Sequence, residues 1–591
     1  MNGITRIFDL LELSGQRYKA EETVLYGKKN GKVLAVDSST YHRNSFVLAH
    51  AFIESGIQKG DRIATIINNR PEWNFFDMAI SLCGAVQVPV YPTISPEQIQ
   101  FIFNDAAISG LVVNDAFLLE RISGIISDVP SLKFIVSVDQ ASGVVCMNDL
   151  LLEFQQFYPS EKVREMADSI KAEDLFSIIY TSGTTGKPKG VMLSHANLVS
   201  NFTALTEILK QQPAQRAASV LPLCHIYERI LNYTYQNCGT AIWYIDGFDK
   251  IKEELAEARP DIFCAVPRIL EKLFDAIMAK GRSLKGIKRA LFYRAIAIGQ
   301  QYEPDQEFSL LYKFKLAVYR KLVFEKWHEA LGGNLVSIVS GGASLNPRIA
   351  RIFWAAGFKL MEGYGLTETS PVIAVSNFLK GGARTGTVGP VLPGVELKFA
   401  PDDEILVRGP NVMMGYYNRP ERTAEVIDSE GWFHTGDIGH MVDNKFLQIT
   451  DRKKEMFKTS GGKYVAPQVL ENRFKESAFI EHILVIGENR KHPAAIIIPS
   501  FDYLKSWCRV KDIPYGSDDD IIRHSRVIHR IEEEIYEINQ YFGHHEQIKK
   551  WEIIADRWSA DSGELSPTLK LRRKYLVGKY GKLIEEMYEK P

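Results

Sequence analysis

Residues 176–193 read Phe-Ser-Ile-Ile-Tyr-Thr-Ser-Gly-Thr-Thr-Gly-Lys-Pro-Lys-Gly-Val-Met-Leu. Two β-rich runs, Phe176–Tyr180 and Val191–Leu193, bracket Thr181–Gly190, which holds three glycines, four hydroxyl side chains and two lysines in ten residues. Such a loop offers backbone N–H groups, hydroxyls and positive charge, and can wrap a polyphosphate. It is not the phosphate loop of kinases and ATPases. That motif needs a glycine five residues before its Gly-Lys pair and a Ser or Thr after the lysine; here position 181 is Thr and Pro188 follows Lys187. Strands on both sides predict a hairpin-like loop in place of one that opens a helix.

Outward from this loop, the β-rich runs Arg62–Ile67, Ala85–Val90, Leu111–Val113, Phe134–Val138, Ile262–Val266 and Leu335–Ser340 are separated by helical patterns such as Thr40–Ser55 and Arg268–Ala279. That alternation predicts an α/β fold with largely buried strands. A polar run, Asp451-Arg-Lys-Lys-Glu455, follows the strand-like Phe446–Thr450. The expected division is residues 1–450, a linker at 451–455, and a second unit at 456–591 of ordinary domain size. The chain has 591 residues, 45% hydrophobic and 24% charged, which is the composition of a globular protein with a sizeable core. Lys and Arg number 71 against 72 Asp and Glu, so no overall field draws the chain to nucleic acid. The six cysteines stand singly, with neither a CxxC pair nor a Cys/His cluster at zinc spacing, which favours a reducing compartment over a disulfide framework. The opening residues lack the apolar run of a signal peptide, and no apolar stretch reaches spanning length; a cytoplasmic protein is expected.

Further motifs follow in order: Leu221-Pro-Leu-Cys-His-Ile-Tyr-Glu-Arg229, Ser340-Gly-Gly-Ala343, Glu362-Gly-Tyr-Gly-Leu-Thr-Glu-Thr369, Gly431-Trp-Phe-His-Thr-Gly-Asp437, Asp451-Arg-Lys-Lys454, Ser460-Gly-Gly-Lys463 and Leu565-Ser-Pro-Thr-Leu-Lys570. With the loop, they resemble the adenylate-forming (AMP-binding) superfamily of acyl-CoA synthetases, luciferases and nonribosomal peptide synthetase adenylation domains. The resemblance implies an α/β fold with a large multilayered N-terminal adenylation domain and a small mobile α+β C-terminal domain. It also implies ATP, Mg²⁺ and CoA as reactants or cofactors.

The residue types fit that chemistry. A carboxylate is a poor acyl donor, and joining it to AMP brings an anion to a polyanion, so cations and N–H donors must surround the phosphates. Glu368 suits an oxygen ligand for Mg²⁺. Tyr364 lies between two glycines and presents an unobstructed ring, although a core tyrosine is the plain alternative. Asp437 is acceptor-only when ionised and can take two ribose hydroxyls. By resemblance, Thr181 and Glu368 hold the metal, and Thr181, Ser182, Gly183, Thr184, Thr185, Gly186 and Lys187 surround the phosphates. Tyr364 takes the adenine beside Gly342, Ala343 and Glu362, Asp437 and Arg452 lie about the ribose and phosphate, and Gly363, Thr367 and Lys458 belong to the same ATP/AMP-binding set. Lys570, His225 and Lys189 are the catalytic candidates. Lys454 is the hinge about which the small domain turns, and Gly461, Gly462 and Lys463 are on the CoA side.

The segments Pro222–Arg229, Val266–Lys272 and Asp451–Lys463, and an insert before Leu335, resemble long-chain fatty-acid–CoA ligases. Between Lys280 and Lys326 there are 11 Lys and Arg against 4 Asp and Glu, interleaved with Leu310, Leu311, Phe314, Val318, Leu322, Phe324 and Trp327. A basic amphipathic helix there is read either as a peripheral contact with an anionic membrane or as a helix packed on the domain with solvated lysines. The alternatives for function are a ligase loading an acyl-carrier protein and an aryl- or amino-acid-adenylating enzyme. A scaffold with a dead adenylation fold is a third, set against every expected polar position being filled.

Overall fold

Four largely buried strands form the centre of one sheet. Arg62–Ile66, Val86–Pro89, Gly110–Val113 and Phe134–Ser137 pair in parallel, and their apolar runs show no alternation because helices cover both sides. Leu175–Thr181 extends this sheet beside Val86–Pro89 and turns back antiparallel as Lys189–Ser194, with Thr181 directly opposite Lys189. The expected hairpin is therefore present. The two-residue strand Gly415–Tyr416 closes this edge against Lys189–Ser194. The structure, a computed structural model, describes residues 3–181, 188–245, 247, 250–559, 562–565 and 571–589.

A second eight-stranded sheet runs Val372–Val375, Lys359–Gly365, Ser337–Gly341, Ile262–Ala265, Arg216–Ser219, Ala241–Tyr244, Thr23–Lys29 and Lys32–Asp37. Its parallel register sets Ser340 beside Glu362 and Gly341 beside Gly363, which brings two separate glycine motifs to neighbouring strand ends. A four-stranded antiparallel sheet, Glu396–Phe399, Glu404–Arg408, Phe433–Val442 and Phe446–Arg452, adds a third layer. Beyond it lies a smaller C-terminal domain. Its three-stranded sheet of Ile480–Ile486, Ala494–Pro499 and Lys550–Ile553 packs helices on cores of its own, drawn from residues between Phe457 and Met587. The two domains touch through Arg268 and Glu481, Asn346 to the Lys475 carbonyl at 3.2 Å, and Arg348 to the Glu476 carbonyl at 3.1 Å.

Element boundaries differ from the sequence reading for local reasons. The first long helix begins at Ser38, because Asp37 caps it by accepting from the Thr40 N–H at 2.7 Å. The strand expected from Leu335 begins at Ser337, because the Val336 and Ser337 N–H groups both bond to the Asp261 carbonyl. The run 451–455 is not uniformly a polar linker. The strand continues to Arg452, and Asp451 is completely buried, accepting from the Gln468 N–H at 3.0 Å at the start of the C-terminal domain's first helix, Pro467–Phe474. Nor is 280–326 one helix. The described chain breaks there into Gly286–Gly299, Leu310–Tyr319 and a π-helical turn, Arg320–Phe324.

Candidate active site

Two polar clusters form where these sheets meet. In the first, Lys189 projects from the strand opposite Thr181, and its ammonium lies 3.1 Å from Glu368 Oε1. The Tyr416 hydroxyl donates to the same Oε1 at 2.8 Å, and Lys189 also reaches the Tyr416 hydroxyl and lies over its ring. Glu368 sits in the short helical turn Thr367–Thr369, fixed because the Met413 N–H bonds its carbonyl at 2.9 Å. Burial and the Glu368 carboxylate push the Tyr416 phenol up, so it remains a donor. Among the described residues, the buried Thr181 Oγ1 has no hydrogen-bond partner. A buried hydroxyl left unpaired costs about 1–3 kcal/mol. With the Glu368 carboxylate anchored to the residue directly opposite, it is an oxygen donor set of the kind a hard divalent cation takes.

In the second cluster the Tyr364 hydroxyl donates to Asp437 Oδ2 at 2.7 Å, and Arg452 Nε lies 3.1 Å from Asp437 Oδ1. Burial, reinforced by Asp437, holds the Tyr364 phenol well above its usual value, so it stays protonated. Tyr364 can take this position because its neighbour has no Cβ: one built on Gly365 would fall 1.8 Å from the Pro371 carbonyl oxygen. Burial pushes the Glu362 carboxyl up to about 8. At neutral pH it therefore carries a proton and can donate a hydrogen bond. Gly342, just past the strand end, has φ +80°, and it and Ala343 are exposed beside this pair of strands. Asp437 is set in place by a residue the sequence did not single out. Glu404 accepts from the Gly436 N–H at 2.9 Å and pairs with Lys453 at 2.8 Å.

His225 caps the helix Ile226–Cys238, with Nδ1 accepting the Tyr227 N–H at 3.1 Å. That bond leaves Nε2 as the proton-bearing nitrogen. The preceding loop is held by Asn69, whose side chain bonds the Leu221 carbonyl at 2.5 Å and the Leu223 N–H at 3.0 Å. One turn beyond His225 lies Arg229, wholly buried. It bonds Asp77 at 2.5 Å, Tyr233 at 2.7 Å and Ser177 at 2.9 Å, and also Gln87. Burial works against its charge, but Asp77 and Tyr233 outweigh it and raise the pKa. Arg229 thus ties the His225 helix to the strand that ends at Thr181.

The sequence-predicted residues divide accordingly. Thr181, Lys189 and Glu368 come together, as do Tyr364, Asp437 and Arg452. Lys454 is exposed, three residues after the buried Asp451. Gly461, Gly462 and Lys463 form the exposed tip between the strands Phe457–Lys458 and Tyr464–Val465, closed by the Thr459 N–H on the Lys463 carbonyl. Lys458 belongs to that hairpin, with its ammonium 4.8 Å from the centre of the Tyr464 ring. Ser182, Gly183, Thr184, Thr185, Gly186, Lys187 and Lys570 lie outside the described residues. Tyr416, Glu404 and Arg229 were not anticipated. Tyr416 stands in a short Gly-Tyr-Tyr run with no chemical signature, and only the sheet register reveals its place.

The model of the AMP-binding enzyme family matches residues 37–417, and that of the AMP-binding enzyme C-terminal domain matches residues 455–591. The chain belongs to the AMP-binding enzyme family. Within that family its curated relatives place it in the long-chain acyl-CoA synthetase branch. The long-chain fatty-acid–CoA ligase FadD15 of Mycobacterium bovis is 32% identical over 554 residues, 92% of this chain and 90% of that protein. The peroxisomal long chain acyl-CoA synthetase 6 of Arabidopsis thaliana is 31% identical over 581 residues, 92% of this chain and 80% of that one. Among solved structures, an anthranilate CoA ligase in complex with anthranoyl-AMP superposes with a TM-score of 0.71 at 18% identity, covering 98% of each chain. At that identity it is the AMP-binding fold that is shared.

Proposed function

We propose that this protein joins a long-chain fatty acid to CoA through an acyl-AMP intermediate, releasing pyrophosphate and then AMP. The observation that carries this reading is the meeting of Thr181, Lys189 and Tyr416, on adjoining strands, with Glu368 of the turn Thr367–Thr369, in a chain whose curated relatives over nine-tenths of its length include long-chain ligases. In the first half-reaction the fatty-acid carboxylate attacks the α-phosphorus and the bond to pyrophosphate breaks. In the second, the CoA thiolate attacks the acyl carbonyl and AMP leaves with the bonding electrons.

The residues divide the work by chemistry. Thr181 and Glu368 would hold Mg²⁺, which supplies charge against the phosphates. Lys189, together with Lys187 of the loop, adds positive charge. His225 Nε2–H orients the carboxylate or α-phosphate. Tyr364 offers its ring to the adenine beside Gly342, Ala343, Glu362, Gly363 and Thr367. Asp437 takes the ribose hydroxyls, with Arg452 and Lys458 about the ribose and phosphate. We place the domain boundary at 451–455, so that rotation about Lys454 presents Lys570 for adenylation and Gly461, Gly462 and Lys463 for CoA. Six free cysteines support a reducing, cytoplasmic setting.

The test separates the half-reactions. Acid-dependent exchange of labelled pyrophosphate into ATP should be greatest with long-chain acids, and Lys570→Ala should lose it yet still convert supplied acyl-AMP and CoA to thioester. Formation of ADP, or equal loss of both steps, would overturn the reading. Substituting an acyl-carrier protein for CoA tests the acceptor.

A further inference from the structure

The stretch between the helix Pro267–Ser283 and the strand Ser337–Gly341 carries chemistry that ligation does not use. The helix Leu310–Tyr319 continues through the π-turn Arg320–Phe324 into Glu325–Ala330. One side of it is anchored. The Tyr312 hydroxyl donates to the Ile298 carbonyl at 2.9 Å, its ring stacks on Phe308, and Leu316, Val323, Phe324 and Trp327 are buried. The other side is apolar and bare: Leu310 is 85% exposed, Phe314 69% and Leu311 63%, with Val318 and Leu322 continuing the row. At about 100° per residue, Leu310, Phe314, Val318 and Leu311 fill an arc of roughly 100° facing away from the anchored side. Of the apolar residues expected to interleave this basic stretch, Phe324 and Trp327 thus belong to the core and the rest do not.

Single exposed leucines are ordinary, whereas a contiguous row of five large apolar side chains marks a contact surface. Its charge identifies the partner. No Asp or Glu occurs from Ser309 to Phe324, and the exposed Lys313, Lys315 and Lys321 lie along the row. Arg320, the other cation there, bonds the Ala355 carbonyl at 2.8 Å. A second copy docking on this face would bring those lysines against their own counterparts. An anionic lipid surface instead attracts each lysine while the apolar arc sinks to the acyl boundary. Among the described residues no helix is long and apolar enough to cross a membrane, so such a helix lies on the bilayer.

We infer that the Leu310–Leu322 face is a docking surface for anionic lipid bilayers, seated by Leu310, Leu311, Phe314 and Val318 and steered by Lys315 and Lys321. The reading is independent of ligation, because docking is measured without turnover. The full chain should co-sediment with vesicles of phosphatidylglycerol and phosphatidylcholine, weakly with phosphatidylcholine alone, and less as salt rises. The double variant Leu311→Ser/Phe314→Ser should bind the mixed vesicles at least about tenfold more weakly, since each large side chain buried is worth about 1.5–3 kcal/mol. Lys315→Glu/Lys321→Glu should lose both binding and salt dependence. Both variants should keep the wild-type unfolding midpoint and the wild-type rate with detergent-dispersed acid. Wild-type protein left in the supernatant, or variants that bind as tightly as wild type, would overturn the inference. So would a wild-type dimer in sedimentation velocity that Phe314→Ser dissociates, which would make the face a protein interface.

Discussion

Two ion-paired regions of this molecule are built on opposite terms. Asp77 and Arg229 are both 0% exposed, and every neighbour of the guanidinium is a hydrogen-bond acceptor or an aromatic face. Ahead of the C-terminal domain, Arg452 is 50% exposed in its pair with Asp437, and Lys453 is 46% exposed in its pairs with Asp402 and Glu404. A desolvated network fixes one arrangement because any broken contact strands a charge out of water. Half-exposed cations can exchange a carboxylate for water at little cost. The candidate site residues lie between these regimes: His225 is braced by the rigid network, while Asp437 is braced by the exchangeable one.

That contrast can be broken from the rigid end first. Arg229→Met leaves Asp77 in the core without its cation, held only by the Tyr233 hydroxyl at 2.7 Å, and should cost about 3–5 kcal/mol of stability, read from the denaturant midpoint, with much of the loss recovered when Asp77→Leu is added. Glu368→Gln keeps the fold but removes a charge from the first cluster. Adenylation should fall by about a hundredfold or more, in line with the roughly 2.7–4 kcal/mol lost when a transition-state electrostatic group is removed. Asp437→Asn should act on ATP more than on fatty acid, raising KM for ATP by about tenfold or more, since hydrogen bonds to a charged group carry about 1.5–3 kcal/mol. A pH series sharpens the nucleotide side. Glu362 is protonated below about 8 and charged above it, so KM for ATP should rise as pH passes 8, and Glu362→Gln should flatten that rise. Smallest is Lys453→Ala, expected to change stability by less than about 1 kcal/mol and by less still at high salt.

The same division explains what could be read in advance. The loop bracketed by Phe176–Tyr180 and Val191–Leu193 was legible because apolar runs and a Gly-rich turn are local signals. Glu368, Tyr364 and Asp437 were legible because each stands in a short motif. Tyr416 and Arg229 were not, since their partners lie 227 and 152 residues away in Lys189 and Asp77. Arg229 sits in the same motif as His225, but nothing local distinguishes a solvated arginine from one enclosed by Trp73, Phe176 and Tyr233. Asp451 misled for the converse reason. Its charged neighbours Arg452, Lys453 and Lys454 are exposed, and only the strand pairing turns it inward. The basic stretch was legible in composition but not in partition, because the same leucine or phenylalanine can face the core or the solvent until helix phase is known.

The Asp77–Arg229 pair also limits how this chain can be recombined with its relatives. A chimera whose crossover falls between residues 77 and 229 inherits one partner from each parent and, where the parents differ at either position, encloses a lone charge. Shuffling for new acyl specificity should therefore move this span as a block and place its seams near Lys454, whose side chain solvent already reaches.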